Sequence, residues 1–163
     1  MSRVWFFGII LVVMFLVAGC VEPTSSYDGG SGDGGGTDKE PVLVAELIGA
    51  TLDEDYYYPY EGITISSMGK LVVTVNLYHW PGDYALEVFF MSYSDYVDYI
   101  NYDAFAAWRK ALYEEGEYTF SFIDIPPGNY VLVVDNTDRA GDTDFDLVND
   151  YAVFDLVAYF EPY

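Results

Sequence analysis

The stretch Leu71-Val72-Val73-Thr74-Val75-Asn76-Leu77-Tyr78 decides the fold class of this chain. Leu71, Val73, Val75 and Leu77 fall on one side of an extended backbone, with Thr74 and Asn76 on the other. Successive strand side chains point to opposite faces, so this spacing predicts a β-strand with one buried face. The same period recurs further along. Tyr118, Phe120 and Phe122 alternate with Thr119 and Ser121, and Ala152, Phe154, Leu156, Ala158 and Phe160 stand against Tyr151, Asp155 and Tyr159. Tyr130-Val131-Leu132-Val133-Val134 is apolar on both sides, as in a strand flanked by neighbours and covered on both faces. Residues 42–49, 62–67 and 84–91 bring the expectation to about seven strands, a count that suits an all-β, antiparallel, two-sheet sandwich. Most connections are too short to hold the crossover helix that parallel pairing needs.

One segment departs from the alternation. Asn101 can cap a helix, Asp103 falls in its first turn, Phe105, Trp108 and Leu112 recur at helical spacing, and Gly116 can end it. A helix over about 101–115 is therefore expected. Two turns, Pro81-Gly82 and Pro127-Gly128, each precede a strand. Proline presets the first central position of a type II turn and glycine supplies a positive φ at the second.

The amino-terminal forty residues stand apart. Residues 1–19 combine Arg3, an apolar run from Val4 to Ala18 and Gly19, the layout of a secretory signal. The run falls short of the ~20 residues that span a bilayer core. Val17-Ala18-Gly19-Cys20 resembles the lipobox of bacterial-type lipoproteins. That resemblance implies a diacylglyceryl group on the Cys20 thiol and cleavage just before it. Cys20 is the single cysteine, so no intrachain disulfide can form. Residues 20–40 are rich in Gly, Ser and Asp, with no apolar period, and are expected to be a flexible tether spanning roughly 25 Å. The domain proper is expected over 41–163, a length that supports one core.

Six basic residues against 27 acidic ones give a net charge of −21, and Arg3 leaves with the signal. Such a surface repels nucleic acid and anionic headgroups. The expected membrane attachment is therefore the covalent lipid on Cys20, with two acyl chains supplying stable anchoring.

A family likeness extends over most of the domain. The residues Tyr99-Ile100-Asn101-Tyr102-Asp103-Ala104-Phe105, then Tyr118-Thr119-Phe120, then Ile125-Pro126-Pro127-Gly128-Asn129-Tyr130 running to Asp135-Asn136, resemble GOLD-type domains and related small sandwiches of prokaryotic exported proteins. The likeness covers roughly residues 63–160. It implies a β-sandwich that mediates interactions and has no catalytic centre. The coiled coil and cytoplasmic tail of the eukaryotic cargo receptors are absent, so cargo sorting does not carry over.

The residues themselves offer little catalytic chemistry. His79 is the single histidine, so any triad must use it, and Ser66, Ser67, Ser92, Ser94 and Ser121 lie in no nucleophile elbow. The glycines at 29–36 follow no strand and lead to no phosphate-binding lysine. Two binding surfaces are candidates. Asp142, Asp144 and Asp146 have the alternating oxygens that open a calcium loop, with Asp135, Asn136, Asp138 and Asp150 nearby. Leu147 and Val153 stand where an EF-hand places other residues, and an acidic, solvated hairpin loop explains the same sequence. The second candidate is aromatic: Tyr56, Tyr57, Tyr58, Tyr60 and Trp80, in a chain with 17 tyrosines. Exposed tyrosines give stiff, amphipathic contact area for a protein partner and can also stack on sugar rings. The expected function is a lipid-anchored, extracytoplasmic, non-catalytic interaction domain for envelope proteins. Carbohydrate binding through Tyr and Trp, and calcium binding, are the alternatives.

Overall fold

The computed structural model describes residues 40–81, 84–137 and 150–163. Eight strands and one helix follow in order: β1 (Val42–Leu52), β2 (Tyr56–Ile65), β3 (Gly69–His79), β4 (Leu86–Ser92), α1 (Tyr93–Ile100), β5 (Trp108–Leu112), β6 (Gly116–Ile125), β7 (Gly128–Asn136) and β8 (Ala152–Pro162). They form two antiparallel four-stranded sheets, ordered β1-β8-β3-β6 and β2-β7-β4-β5. The all-β sandwich expected from the alternation is the observed architecture.

The core between the sheets is built from the alternating residues. Leu71, Val73, Val75 and Leu77 of β3 and Phe154, Leu156, Ala158 and Phe160 of β8 meet Val88, Phe90, Leu132 and Val134 of the facing sheet. Each is nearly or wholly withdrawn from solvent, and burial of the valine, leucine and phenylalanine side chains among them contributes about 1.5–3 kcal/mol apiece. A second, smaller cluster lies on the far side of the second sheet. There Phe89, Met91, Val131 and Val133 are covered by Tyr96 and Tyr99 of α1, with Tyr57 and Phe105 packed alongside. This second cover explains why β4 and β7 are apolar on both faces.

The expected helix over 101–115 is corrected. The helix lies earlier, at Tyr93–Ile100, and Trp108–Leu112 forms β5, the edge strand beside β4. Ser92, not Asn101, is the N-cap: its Oγ accepts the Asp95 N–H at 3.1 Å, and the two side chains are also hydrogen-bonded. Asn101 instead closes the helix, its Nδ2 donating to Val97 O at 2.8 Å. Tyr102 then adopts φ +60°, which an α-helix cannot accommodate. The spacing of four between Trp108 and Leu112 is an even number, so it fits a strand face as well as a helix face. Both residues point into the main core.

The Pro127-Gly128 turn also departs from expectation. Positive φ falls on Asp124, at 56°, and not on Gly128. At Gly128 space is tight: an added Cβ would sit 3.1 Å from the Tyr130 ring, whose hydroxyl folds back to donate to Pro126 O at 2.8 Å. The Pro81-Gly82 turn extends outside the described residues.

Candidate functional site

Only one of the two sheets is covered on its outer side by a described element. α1 packs against β4 and β7, whereas no described helix lies over β1-β8-β3-β6. The outer face of that sheet follows from its pairing. Leu43, Tyr159, Val72 and Ser121 form one cross-strand row, and Glu46, Val157, Thr74 and Thr119 form the next. Beyond them come Asp155, Asn76 and Glu117. Leu43 is 48% exposed and Tyr159 43%. Pro41, Val72, Tyr159 and Glu161 enclose a shallow depression of about 240 Å3 on this face.

Two local devices shape the surface. Between Leu47 and Ala50 the pairing of β1 with β8 slips at a bulge, and Gly49 takes φ +62° there. Asp155 anchors the bulge by accepting the Gly49 N–H at 2.6 Å through Oδ1, while Oδ2 accepts the Tyr78 hydroxyl. The Tyr78 hydrogen bond, followed by that from Gly49, holds the Asp155 carboxyl below the usual carboxylate range. Because its folded-state pKa is depressed, the stability this carboxylate contributes is present above the ordinary aspartate value and is lost as pH falls through the lowered one. Carboxyl-carbon NMR of the Tyr78→Phe variant should show Asp155 titrating closer to an ordinary aspartate. An unchanged midpoint would show that the hydroxyl does not hold it. Between the two inner strands of the same sheet, near the start of β3 and the end of β8, Lys70 and Glu161 form an ion pair at 2.8 Å.

The second sheet carries buried charge on two strands, at the calcium candidate Asp135 and at Glu87, which no motif had singled out. Glu87 on β4 and Asp135 on β7 are directly opposed in register, and each is 1% exposed. Arg109, diagonally placed on β5, binds Glu87 Oε1 through both Nε and Nη2. Asp135 Oδ1 accepts the Thr137 N–H at 3.0 Å. Opposed buried carboxylates repel, and the guanidinium offsets that repulsion. The available signal was a lone carboxylate inside Leu86-Glu87-Val88-Phe89-Phe90-Met91.

The sequence candidates are dispersed. Tyr57 lies opposite Asp135 and turns its ring edge-on to Tyr99, 5.2 Å away, beneath the helix. Tyr56, Tyr58 and Tyr60 pair with Asn136, Val134 and Leu132 on the other face of β2. Of these, Tyr56 and Tyr58 are exposed and Tyr60 packs on the main core. Trp80 is only 5% exposed, its Nε1 donating to Tyr84 O at 3.1 Å, so its ring is not available at the surface. The five aromatics therefore share no common exposed face. The His79 ring lies 4.5 Å from that of Tyr151, tilted by 38°, and 3.6 Å from the Glu115 carboxylate.

Of the calcium candidates, Asp135 belongs to the covered face just described, while Asp138, Asp142, Asp144 and Asp146 lie outside the described residues. Cys20, with the signal and all of the tether except Glu40, also lies outside them. Among the described residues no group of three or more His, Cys, Asp or Glu is placed to hold a metal ion, and no helix is long and apolar enough to cross a membrane. Set against known proteins, the chain matches no protein-family model and no curated protein.

Proposed function

We propose that this chain is an exported lipoprotein, held at the membrane by diacylglyceryl on Cys20, whose β-sandwich binds an envelope protein without catalysing a reaction. The observation that carries the reading is the outer face of the β1-β8-β3-β6 sheet. Its row of Leu43, Tyr159 and Val72 presents apolar and aromatic area on a broad sheet surface. Tyrosine at such a place gives contact area at low entropic cost, which suits a protein partner. Glu46 in the adjoining row and Glu117 further along the same face are exposed acids, so the complementary partner patch is apolar with basic groups beside it. The likeness to GOLD-type sandwiches supports the same reading, as does the Gly-, Ser- and Asp-rich composition of the sequence between Cys20 and the domain.

The test uses the full chain in intact cells, with a photo-crosslinking residue at position 72. A discrete adduct with an envelope protein is expected. Leu43→Asp combined with Tyr159→Asp should reduce its yield about tenfold, while Tyr93→Asp, on α1 over the other sheet, should leave it unchanged. Mass spectrometry of the same material should find Cys20 as a diacylglyceryl-modified amino terminus. Adducts indifferent to the double substitution would refute this face as the docking surface, and an intact signal would refute the anchor.

A further inference from the structure

Where α1 begins, a pocket of about 360 Å3 opens between the second sheet and the 101–107 connection. Trp108 and Tyr130 supply aromatic walls, Pro126 and two small residues complete the apolar lining, and Ser92 and Asp95 supply the polar side. The rings are held from behind. Phe90, fully buried, stacks on Tyr130 at 4.8 Å and lies 5.9 Å from Trp108, and the two wall rings are 6.2 Å apart at 59°. The Tyr130 hydroxyl is engaged with Pro126 O. Asp95 is held from two directions, Oδ1 accepting the Ala106 N–H at 3.0 Å and Oδ2 meeting the Ser92 hydroxyl. The wall thus presents a fixed carboxylate beside two fixed aromatic rings, with no basic residue among those lining it.

We propose that this pocket binds a small organic cation, an ammonium of the choline or methylated-amine class. Aromatic rings carry negative faces that attract such groups, and the attraction strengthens where water is excluded. The volume suits a small ligand. Charge selects the sign, because Asp95 and a chain of net charge −21 repel anions. Chemistry selects against two neutral classes. A sugar needs several open hydrogen-bonding groups, whereas the Ser92, Asp95 and Tyr130 polar atoms already hold one another or the backbone. A neutral apolar guest would desolvate Asp95 without returning any interaction. The positive end of α1 does not oppose a cation, since the Ser92 cap and Asp95 in the first turn already offset it.

The test follows NMR signals of the full chain in a nonionic polyoxyethylene detergent, with choline as probe and 3,3-dimethylbutanol as its uncharged isostere. Choline should shift the Trp108 indole and the Ala106 and Ala107 amides, with Kd on the order of millimolar. Trp108→Ala, read at the amides, and Asp95→Asn, which keeps the acceptor for Ala106 N–H, should each weaken binding about tenfold or more. The buried Trp80 indole should stay in place in both variants, reporting an intact fold. The proposal is overturned if the isostere binds as tightly as choline. It is also overturned if a disaccharide shifts these signals and choline does not, or if neither ligand shifts them.

Discussion

Replacing Phe90 with alanine is expected to lower stability by about 3–5 kcal/mol. Phe90 has no exposed surface and sits where both sheets converge, stacked on Tyr130 at 4.8 Å and on Phe122 of the opposite sheet at 6.3 Å, with Trp108 alongside. Truncation leaves a cavity ringed by aromatics that belong to strands on both sheets, and rigid rings collapse poorly into empty space. The midpoint of thermal unfolding should fall by roughly 15 °C. Phe89→Ala is the informative companion. Its side chain leaves the same strand on the other face and packs under the helix against Tyr99 and Phe105. That variant should loosen α1 and the 101–107 connection, raising amide exchange there before the sandwich itself opens. Equal, global losses from both variants would mean that the two apolar layers are one cooperative unit.

Asn136→Ala should cost about 3 kcal/mol although it removes no apolar contact of note. The side chain is 1% exposed and makes three hydrogen bonds. Its Nδ2 donates to Asp150 O at 2.8 Å and to Leu52 O at 3.3 Å, and its Oδ1 accepts the Tyr84 hydroxyl at 3.0 Å. The Asn136 main-chain oxygen also accepts the Asp55 N–H at 2.9 Å, where Asp55 turns the chain from β1 to β2 with φ +64°. One residue at the end of β7 therefore ties the ends of both sheets together. Tyr84→Phe, which deletes a single member, should cost only about 1 kcal/mol. Asn136→Asp should be at least as damaging as alanine, because it removes both donations and sets a charge beside Asp135. Urea unfolding of the three variants measures all of this, and a loss below about 1 kcal/mol for Asn136→Ala would show that the network does not hold the sheet ends.

The alternation in Leu71–Leu77 and in Ala152–Phe160 was sufficient to place β3 and β8, because each buries one face and period two is then unambiguous. It was less decisive where other forces set the local structure. Phe105, Trp108 and Leu112 satisfy a helical spacing, yet Ser92 and Asp95 start the helix earlier and Tyr102 ends it. The resulting helix presents Tyr96 and Tyr99 to the sheet, and Trp108–Leu112 is left to pair with β4. The tyrosine run at 56–60 could be seen to split between two faces. Which face would be covered depended on the helix above Tyr57, an element distant in sequence.

What the sequence alone determined is the all-β character of the domain, its main core positions and its strongly acidic charge, since alternation and composition are local or additive properties. The tertiary structure decided the rest: the opposition of Glu87 and Asp135, the enclosure of Trp80, an outer face of β1-β8-β3-β6 that no described helix covers, and the pocket of Trp108, Tyr130 and Asp95. Each of these depends on strand order and on what packs over a sheet. The physical reason is that cross-strand pairing joins residues dozens of positions apart, so no local period records which side chains will meet.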